Sequence, residues 1–218
     1  MKTNLATKTS LSPNNSGKRK YAITRITPHV VVGEFDAETV ASWFNRPERK
    51  ASANYIIGKS GEILCNVEEE NRAWTSGNAD NDNRAITIEC ASDAKNHNAL
   101  NNNVFKSLEN LIVDICQRYG KTSVVYKGTA NYNPTTDEML ITKHAFFQNV
   151  LCWDKWLDEH INELVDNVNK RLSKDTTTLY KVQVGAFALK ENAECLRDNL
   201  ISQGYEDAFI ITQKGGIN

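Results

Sequence analysis

The chain has 218 residues, of which 40% are hydrophobic, 24% charged and 8% aromatic, a composition typical of a soluble globular protein. No apolar segment approaches the ~18 to 20 residues that a membrane-spanning helix requires, so the sequence predicts no membrane span. The net charge is −1, although residues 1–20 carry five basic and no acidic side chains. The remaining chain is therefore acidic, which argues against a nucleic acid as the main partner.

Residues 1–20 contain no apolar segment of the kind found in signal peptides, so we expect synthesis in the cytoplasm. Their polar and basic character predicts a flexible tail. The five cysteines form an odd and scattered set, which predicts reduced thiols, one of which could bind a metal. These are Cys65, Cys90, Cys116, Cys152 and Cys195.

Hydrophobic periodicity predicts alternating strands and helices in residues 21–172. We expect an α/β fold with a mixed central β-sheet flanked by helices. Strands are predicted at 21–32, at 84–90, at 122–126 and in a hairpin within 53–67, and helices at 37–44, 104–119 and 153–172.

The C-terminal part has a separate pattern. Residues 173–178 are polar and predict a linker. Residues 179–218 predict a small β-α-β unit, in which YKVQVGAF and YEDAFIIT are the strands around one amphipathic helix. A unit of this size is too small to hold a core without a partner surface.

Two histidines in apolar surroundings and one nearby cysteine are candidates for a metal site. His29 lies in a predicted strand, His144 lies in the segment ITKHAFF, and Cys152 follows it. Two imidazoles, one thiolate and an open fourth position are typical of a catalytic zinc site. From spacing alone, a buried histidine held by a backbone hydrogen bond remains the commoner alternative.

Glu89 and Trp74 also stand out. Glu89 interrupts the otherwise apolar strand AITIEC, so it needs either a partner or a catalytic task such as general base. Trp74 lies in a polar loop, where an aromatic ring either stacks on a sugar or peptide or anchors its own loop.

Four segments together resemble the type 2 N-acetylmuramoyl-L-alanine amidases, the fold of phage endolysins, recycling amidases and peptidoglycan recognition proteins. They are RITPHVVVG, ASANYIIGKSGEI, NRAWTSGNADNDNRAITIEC and ITKHAFFQNVLC. The resemblance implies a Zn²⁺ ion bound by His29, His144 and Cys152, with Glu89 as the catalytic carboxylate. It also places Trp74 in the groove for the glycopeptide, and we expect Asn54 and Asn83 to contact the substrate as well.

The sequence departs from the family pattern at three places. Ala53 stands where many members have a catalytic tyrosine, and Val150 stands where many have a lysine or threonine. The usual Cys-Pro-Gly is here Cys152-Trp153-Asp154, which makes Asp154 a minor rival ligand. These departures leave Glu89 and zinc to carry more of the catalysis.

Residues 179–218 resemble the first half of a SPOR domain, a peptidoglycan-binding repeat. The two resemblances together predict an endolysin-like enzyme that cleaves peptidoglycan between N-acetylmuramic acid and L-alanine after release to the cell wall. A non-catalytic peptidoglycan-binding protein and an intracellular muropeptide-recycling amidase remain alternatives. The incomplete repeat also predicts a homodimer through the C-terminal unit, with docking of that unit on its own catalytic domain as the alternative.

Overall fold

The computed structural model describes residues 2–175, 183–205 and 208–212, with side chains from 2 to 173 in the first range. The chain forms two compact units, Met1–Thr178 and Leu179–Asn218. The strands are β1 Ala6–Thr9, β2 Asn15–Lys18, β3 Arg25–Val32, β4 Tyr55–Ile57, β5 Ile63–Cys65, β6 Asn71–Ala73, β7 Ala85–Ser92, β8 Ser123–Val125 and β9 Glu138–Ile141. The α-helices are α1 Ala37–Phe44, α2 Ala79–Arg84, α3 Asn102–Arg118, α4 Asp154–Asp175 and α5 Lys190–Ser202.

Seven strands form a mixed sheet in the order β1-β5-β4-β7-β3-β9-β8, and β2 pairs with β6 in a separate antiparallel ribbon. Strands β4, β7, β3, β9 and β8 run parallel to one another, whereas β5 is antiparallel to β4 and parallel to β1. This mixed sheet with flanking helices confirms the predicted fold class.

The two faces of the sheet differ in chemistry because side chains alternate along each strand. On one face, Ile26 and Ile88 pack into the main core with side chains from α3 and α4. On the other face, α1 packs against Ile56 and Val31. The polar residues of β3 and β7 share this second face, and the parallel register places His29 beside Glu89.

The prediction of a flexible tail at residues 1–20 is wrong for the residues that the structure describes there. Strand β1 adds to the edge of the main sheet beside β5, and β2 pairs with β6. The polar side chains of the segment make long-range bonds, including one from Asn14 Nδ2 to the Phe44 carbonyl at 2.8 Å. Arg19 likewise donates from Nη2 to Asn54 Oδ1 at 2.9 Å. Its order therefore comes from partners distant in sequence rather than from local periodicity.

A buried ion pair joins the loop between β5 and β6 to α3. Glu69 is fully buried and accepts two bonds from Arg118, at 2.7 and 2.6 Å. The hydroxyls of Tyr55 and Tyr119 donate to the same carboxylate, at 2.6 and 2.9 Å. The Tyr55 hydroxyl in turn accepts from the backbone amide of Thr3 at 3.1 Å. This cluster is structural, because its oxygens are all engaged within the fold.

The predicted C-terminal boundaries are partly corrected. Residues 173–175 belong to α4 rather than to a linker, whereas 176–178 lie outside the described residues. The predicted helix of the last unit is confirmed as α5. Of the two predicted strands, the described parts at 183–187, 205 and 208–212 are not in a strand, and the rest lies outside the described residues. In the described ranges, no helix is both long and apolar enough to cross a bilayer.

Candidate metal centre

Three candidate ligands from distant parts of the sequence meet beside β3. His29 lies within β3, His144 opens a 3₁₀ turn after β9, and Cys152 precedes α4. One potential ligand atom from each lies within 4.8 Å of the others. The two imidazole centroids are 5.0 Å apart, and Cys152 Sγ lies 3.4 Å from His29 Nδ1.

The geometry and chemistry of this cluster fit a zinc ion. Zinc–sulfur and zinc–nitrogen bonds of ~2.3 and ~2.05 Å in a tetrahedral site place S and N about 3.6 Å apart. The separation between Cys152 Sγ and His29 Nδ1 is close to this value. Burial, and then the neighbouring His144, lower the pKa of His29 to about 3, so its imidazole is neutral and able to bind a metal.

The Cys152 thiol requires a cation before it ionises. Burial and the Glu89 carboxylate raise the pKa of Cys152 to about 12, although the backbone amides of Val30 and Trp153 act in the opposite direction. Zinc binds the thiolate, so metal binding would release the thiol proton. A buried cysteine with this environment is inert without a metal and becomes a strong ligand with one.

His144 has a hydrogen-bonding partner on its far nitrogen. Its Nε2 lies 3.0 Å from Gln148 Oε1, so the tautomer protonated at Nε2 donates to this amide and leaves Nδ1 for a metal. Gly77 makes room for this arrangement, because a Cβ there would overlap the side-chain amide of Gln148. Sequence reasoning missed Gln148, whose only local signal is its position four residues after a histidine.

Glu89 lies beside His29 with an unengaged carboxylate. The carboxylate oxygens make no hydrogen bond to any residue in the part of the chain that the structure describes, and the side chain is half-buried. Burial raises the pKa of Glu89 to about 7, and the positive charge of Arg49 partly opposes this rise. A carboxyl group with such a pKa exchanges protons readily near neutral pH, as a general acid–base group requires.

The other predicted site residues have different surroundings. Asn54 is fully buried, with Nδ2 facing three backbone carbonyls and Oδ1 accepting from Arg19 and Thr87. Asn83 is 5% exposed and bonds to the backbone of Lys20 and Ala79. We therefore correct the prediction that these two amides contact the substrate, because both are engaged in holding loops together.

Trp74 fits both interpretations of its loop. Its indole Nε1 donates to Ser16 Oγ at 2.6 Å, which anchors the loop to β2. It also lines a cavity of ≈ 330 Å³ together with Lys50, Arg72 and Gln148. Because Gln148 contacts His144, this cavity adjoins the cluster of candidate ligands.

The remaining candidate ligand, Asp154, does not join the cluster. In the described part of the chain, the metal-binding group contains only the two histidines and Cys152. Asp154 Oδ1 instead accepts from the backbone amide of Lys155 at 2.7 Å, at the start of α4. Its side chain therefore serves the helix N-terminus.

The mixed sheet carries His29 and Glu89 on its polar face, and His144 and Cys152 lie in the segments between β9 and α4. This arrangement defines a class of α/β folds with a candidate metal site, and comparisons with known proteins specify the class. The family described as N-acetylmuramoyl-L-alanine amidase (Amidase_2) matches residues 19–152, and the SPOR domain family matches residues 176–217. The chain belongs to the N-acetylmuramoyl-L-alanine amidase family and is an enzyme of that activity. No curated protein sequence matches it significantly.

Solved structures share the fold at low sequence identity. A mutant endolysin from Bacillus subtilis is 15% identical, with a TM-score of 0.55, and the match covers 74% of this chain and 97% of that one. The Staphylococcus aureus hydrolase AmiA, solved with its ligand, is 14% identical with a TM-score of 0.55, covering 78% and 84%. The endolysin amidase LysCS from Clostridium intestinale is 14% identical with a TM-score of 0.50, covering 72% and 95%.

Proposed function

We propose that this amidase is zinc-dependent and acts like an endolysin on the cell wall, cleaving the amide between N-acetylmuramic acid and L-alanine in polymeric peptidoglycan. The observation that carries the proposal is the convergence of His29, His144 and Cys152 within 4.8 Å, with Glu89 in register beside His29. These residues are the proposed metal ligands and the proposed catalytic carboxylate.

In the proposed mechanism the metal activates the carbonyl and the water, and Glu89 transfers the proton. When bound, Zn²⁺ supplies Lewis-acid polarisation of the scissile carbonyl and lowers the pKa of water. Glu89 accepts a proton from the attacking water and delivers it to the departing amide nitrogen. A carboxyl pKa of about 7 suits both transfers, because the group is neither a very weak base nor a very weak acid near neutral pH.

The cavity beside His144 is the proposed binding site for the substrate next to the scissile bond. Lys50 makes no ion pair or hydrogen bond within the described residues, so its charge is available to a carboxylate of the stem peptide. The Arg72 guanidinium donates to Ser16 and also interacts with the Asp82 carboxylate, which lines the same cavity. Trp74 offers a flat ring for the sugar or peptide backbone.

The SPOR match favours a polymeric wall target over soluble muropeptides. We propose that residues 179–218 retain the enzyme on peptidoglycan and contribute to a homodimer. Among the described residues of this unit, seven large apolar side chains are exposed and α5 has no buried residue, so a second copy would cover apolar surface. These side chains are Val184, Phe187, Leu189, Ile201, Tyr205, Phe209 and Ile211.

The test is the release of new amino groups from purified sacculi, with and without a chelator. We expect release that stops when zinc is removed and returns when zinc is added back. Binding to sacculi without release would support the non-catalytic alternative. Cleavage of soluble muropeptides but not of sacculi would support the recycling alternative, and chelator-resistant release would refute the zinc dependence.

A further inference from the structure

Trp153, the residue directly after Cys152, has an unusual backbone conformation. Its φ is +86°, and that of the next residue, Asp154, is +29°. The left-handed region is sterically unfavourable for a residue with a Cβ, and a bulky aromatic residue is rarely found there. Such strain persists only where surrounding contacts enforce it, and it concentrates at functional sites.

The contacts of the Trp153 ring explain what enforces this conformation. The side chain is fully buried, and its indole Nε1 donates to the carbonyl oxygen of Pro28 at 2.6 Å. The Lys143 ammonium lies 5.9 Å from the ring centroid, and two bonds to Asp158, at 2.6 and 2.9 Å, fix this ammonium. The ring of Tyr126 packs at 5.8 Å on the same indole.

These contacts relate Trp153 to all three candidate ligands. Pro28 precedes His29, Lys143 precedes His144, and Trp153 itself follows Cys152. The Trp153 side chain therefore contacts the residues that precede His29 and His144, and Trp153 itself is bonded to Cys152 in the chain. A buried indole N–H needs an acceptor in any core. What distinguishes Trp153 is its left-handed backbone and the position of its acceptor, Pro28, in the strand that carries His29.

We propose that Trp153 is a positioning residue of the metal centre, which holds the Cys152 thiol against His29 through its bond to the Pro28 carbonyl. The inference rests on the proposed zinc dependence. The strained turn directs the chain so that Cys152 Sγ faces His29 Nδ1 while the indole enters the core. Outer groups that orient ligands in this way contribute ~10–100-fold to metal affinity.

Trp156, in the first turn of α4, provides a matched control. Its ring stacks on His160 at 4.0 Å and meets Phe105 edge-on at 5.6 Å. None of these three residues adjoins a proposed ligand in the sequence. Trp156→Phe therefore tests the cost of a smaller ring near the core without disturbing the Pro28 bond.

The experiment compares full-length wild type, Trp153→Phe and Trp156→Phe. Zinc affinity is measured by competition with a chromophoric chelator, and ligand geometry by the absorption spectrum of the Co²⁺-substituted protein. We expect Trp153→Phe to bind zinc ~10–100-fold more weakly and to alter the Co²⁺ spectrum. Trp156→Phe should keep both properties of the wild type.

A second variant separates the hydrogen bond from packing, should Trp153→Phe not fold. Replacing Trp153 by β-(3-benzothienyl)alanine preserves the shape of the side chain and removes only the N–H donor. We expect this variant to fold and to show the same loss of zinc affinity. Wild-type zinc affinity with an unchanged Co²⁺ spectrum in this variant would overturn the positioning role. A wild-type protein that binds no zinc would instead refute the proposed zinc dependence.

Discussion

Replacing Glu89 by glutamine should make the metal-free protein more stable at alkaline pH while it removes activity. Burial raises the folded-state pKa of this carboxyl group to about 7 from its ordinary value of 4.5. The unfolded chain ionises at the ordinary value, so the folded state binds the proton more tightly. The stability of the wild type therefore falls as the pH rises from 4.5 through 7, and the full penalty is present above 7.

The pKa difference sets the size of the effect. A difference of about 2.5 corresponds to about 3 kcal/mol, which is an upper limit because solvent partly reaches the side chain. Glu89→Gln should therefore gain up to about 3 kcal/mol over the wild type at pH 8 and almost nothing at pH 4. A bound zinc ion would favour the carboxylate and reduce the gain.

Urea unfolding of both metal-free proteins at pH 4, 6 and 8 measures this difference, and sacculus hydrolysis with zinc measures the activity. We expect a loss of ~10²–10⁴-fold in turnover, as is typical when a general base is removed. Equal stability of the two proteins at pH 8 would refute the buried, unpartnered state of Glu89. Near-normal turnover of the variant would refute its catalytic role.

Three further outcomes follow from the site and its supports. Cys152→Ser should lose its zinc and melt at a lower temperature than the wild type, because metal binding adds to folding free energy; full zinc content by elemental analysis would exclude Cys152 as a ligand. Tyr55→Phe should lose ~1–3 kcal/mol in urea unfolding because it leaves the buried Glu69 carboxylate short of a donor, whereas Tyr21→Phe, at a residue 46% exposed, should change little. Residues 1–178 alone should be an active monomer by light scattering that sacculi retain weakly, and a monomeric full-length chain at micromolar concentration would contradict the dimer.

The elements predicted correctly are those with strong local periodicity. The apolar stripe of α3 and the β-branched runs of β3 and β7 are visible in the sequence and are confirmed. Strands β1 and β2 were missed because they are short and polar, so neither alternation nor an apolar run marks them. Their order depends on β5 and β6, which are distant along the chain.

The residues of the candidate site also differ in whether the sequence alone can identify them. A carboxylate in a buried strand and a histidine among valines are local anomalies, so Glu89 and His29 could be selected from sequence. A buried amide with every bond satisfied looks the same in sequence as one that contacts a ligand, so Asn54 could not be assigned correctly. Gln148 and Trp153 were missed because their partners are set by the tertiary fold.

The two faces of the sheet explain how the fold tolerates this site. The apolar faces of β3 and β7 bury their side chains against α3 and α4, which supplies most of the stabilisation. Because this burial of apolar side chains stabilises the fold, the opposite face can keep an uncharged, buried His29 and an unpartnered Glu89. Both of these groups are unfavourable for folding. Trp153 belongs to the apolar core and also adjoins Cys152, so the core and the proposed metal centre share one side chain. Metal affinity in this enzyme should therefore depend on core packing at the start of α4 as well as on the ligands themselves.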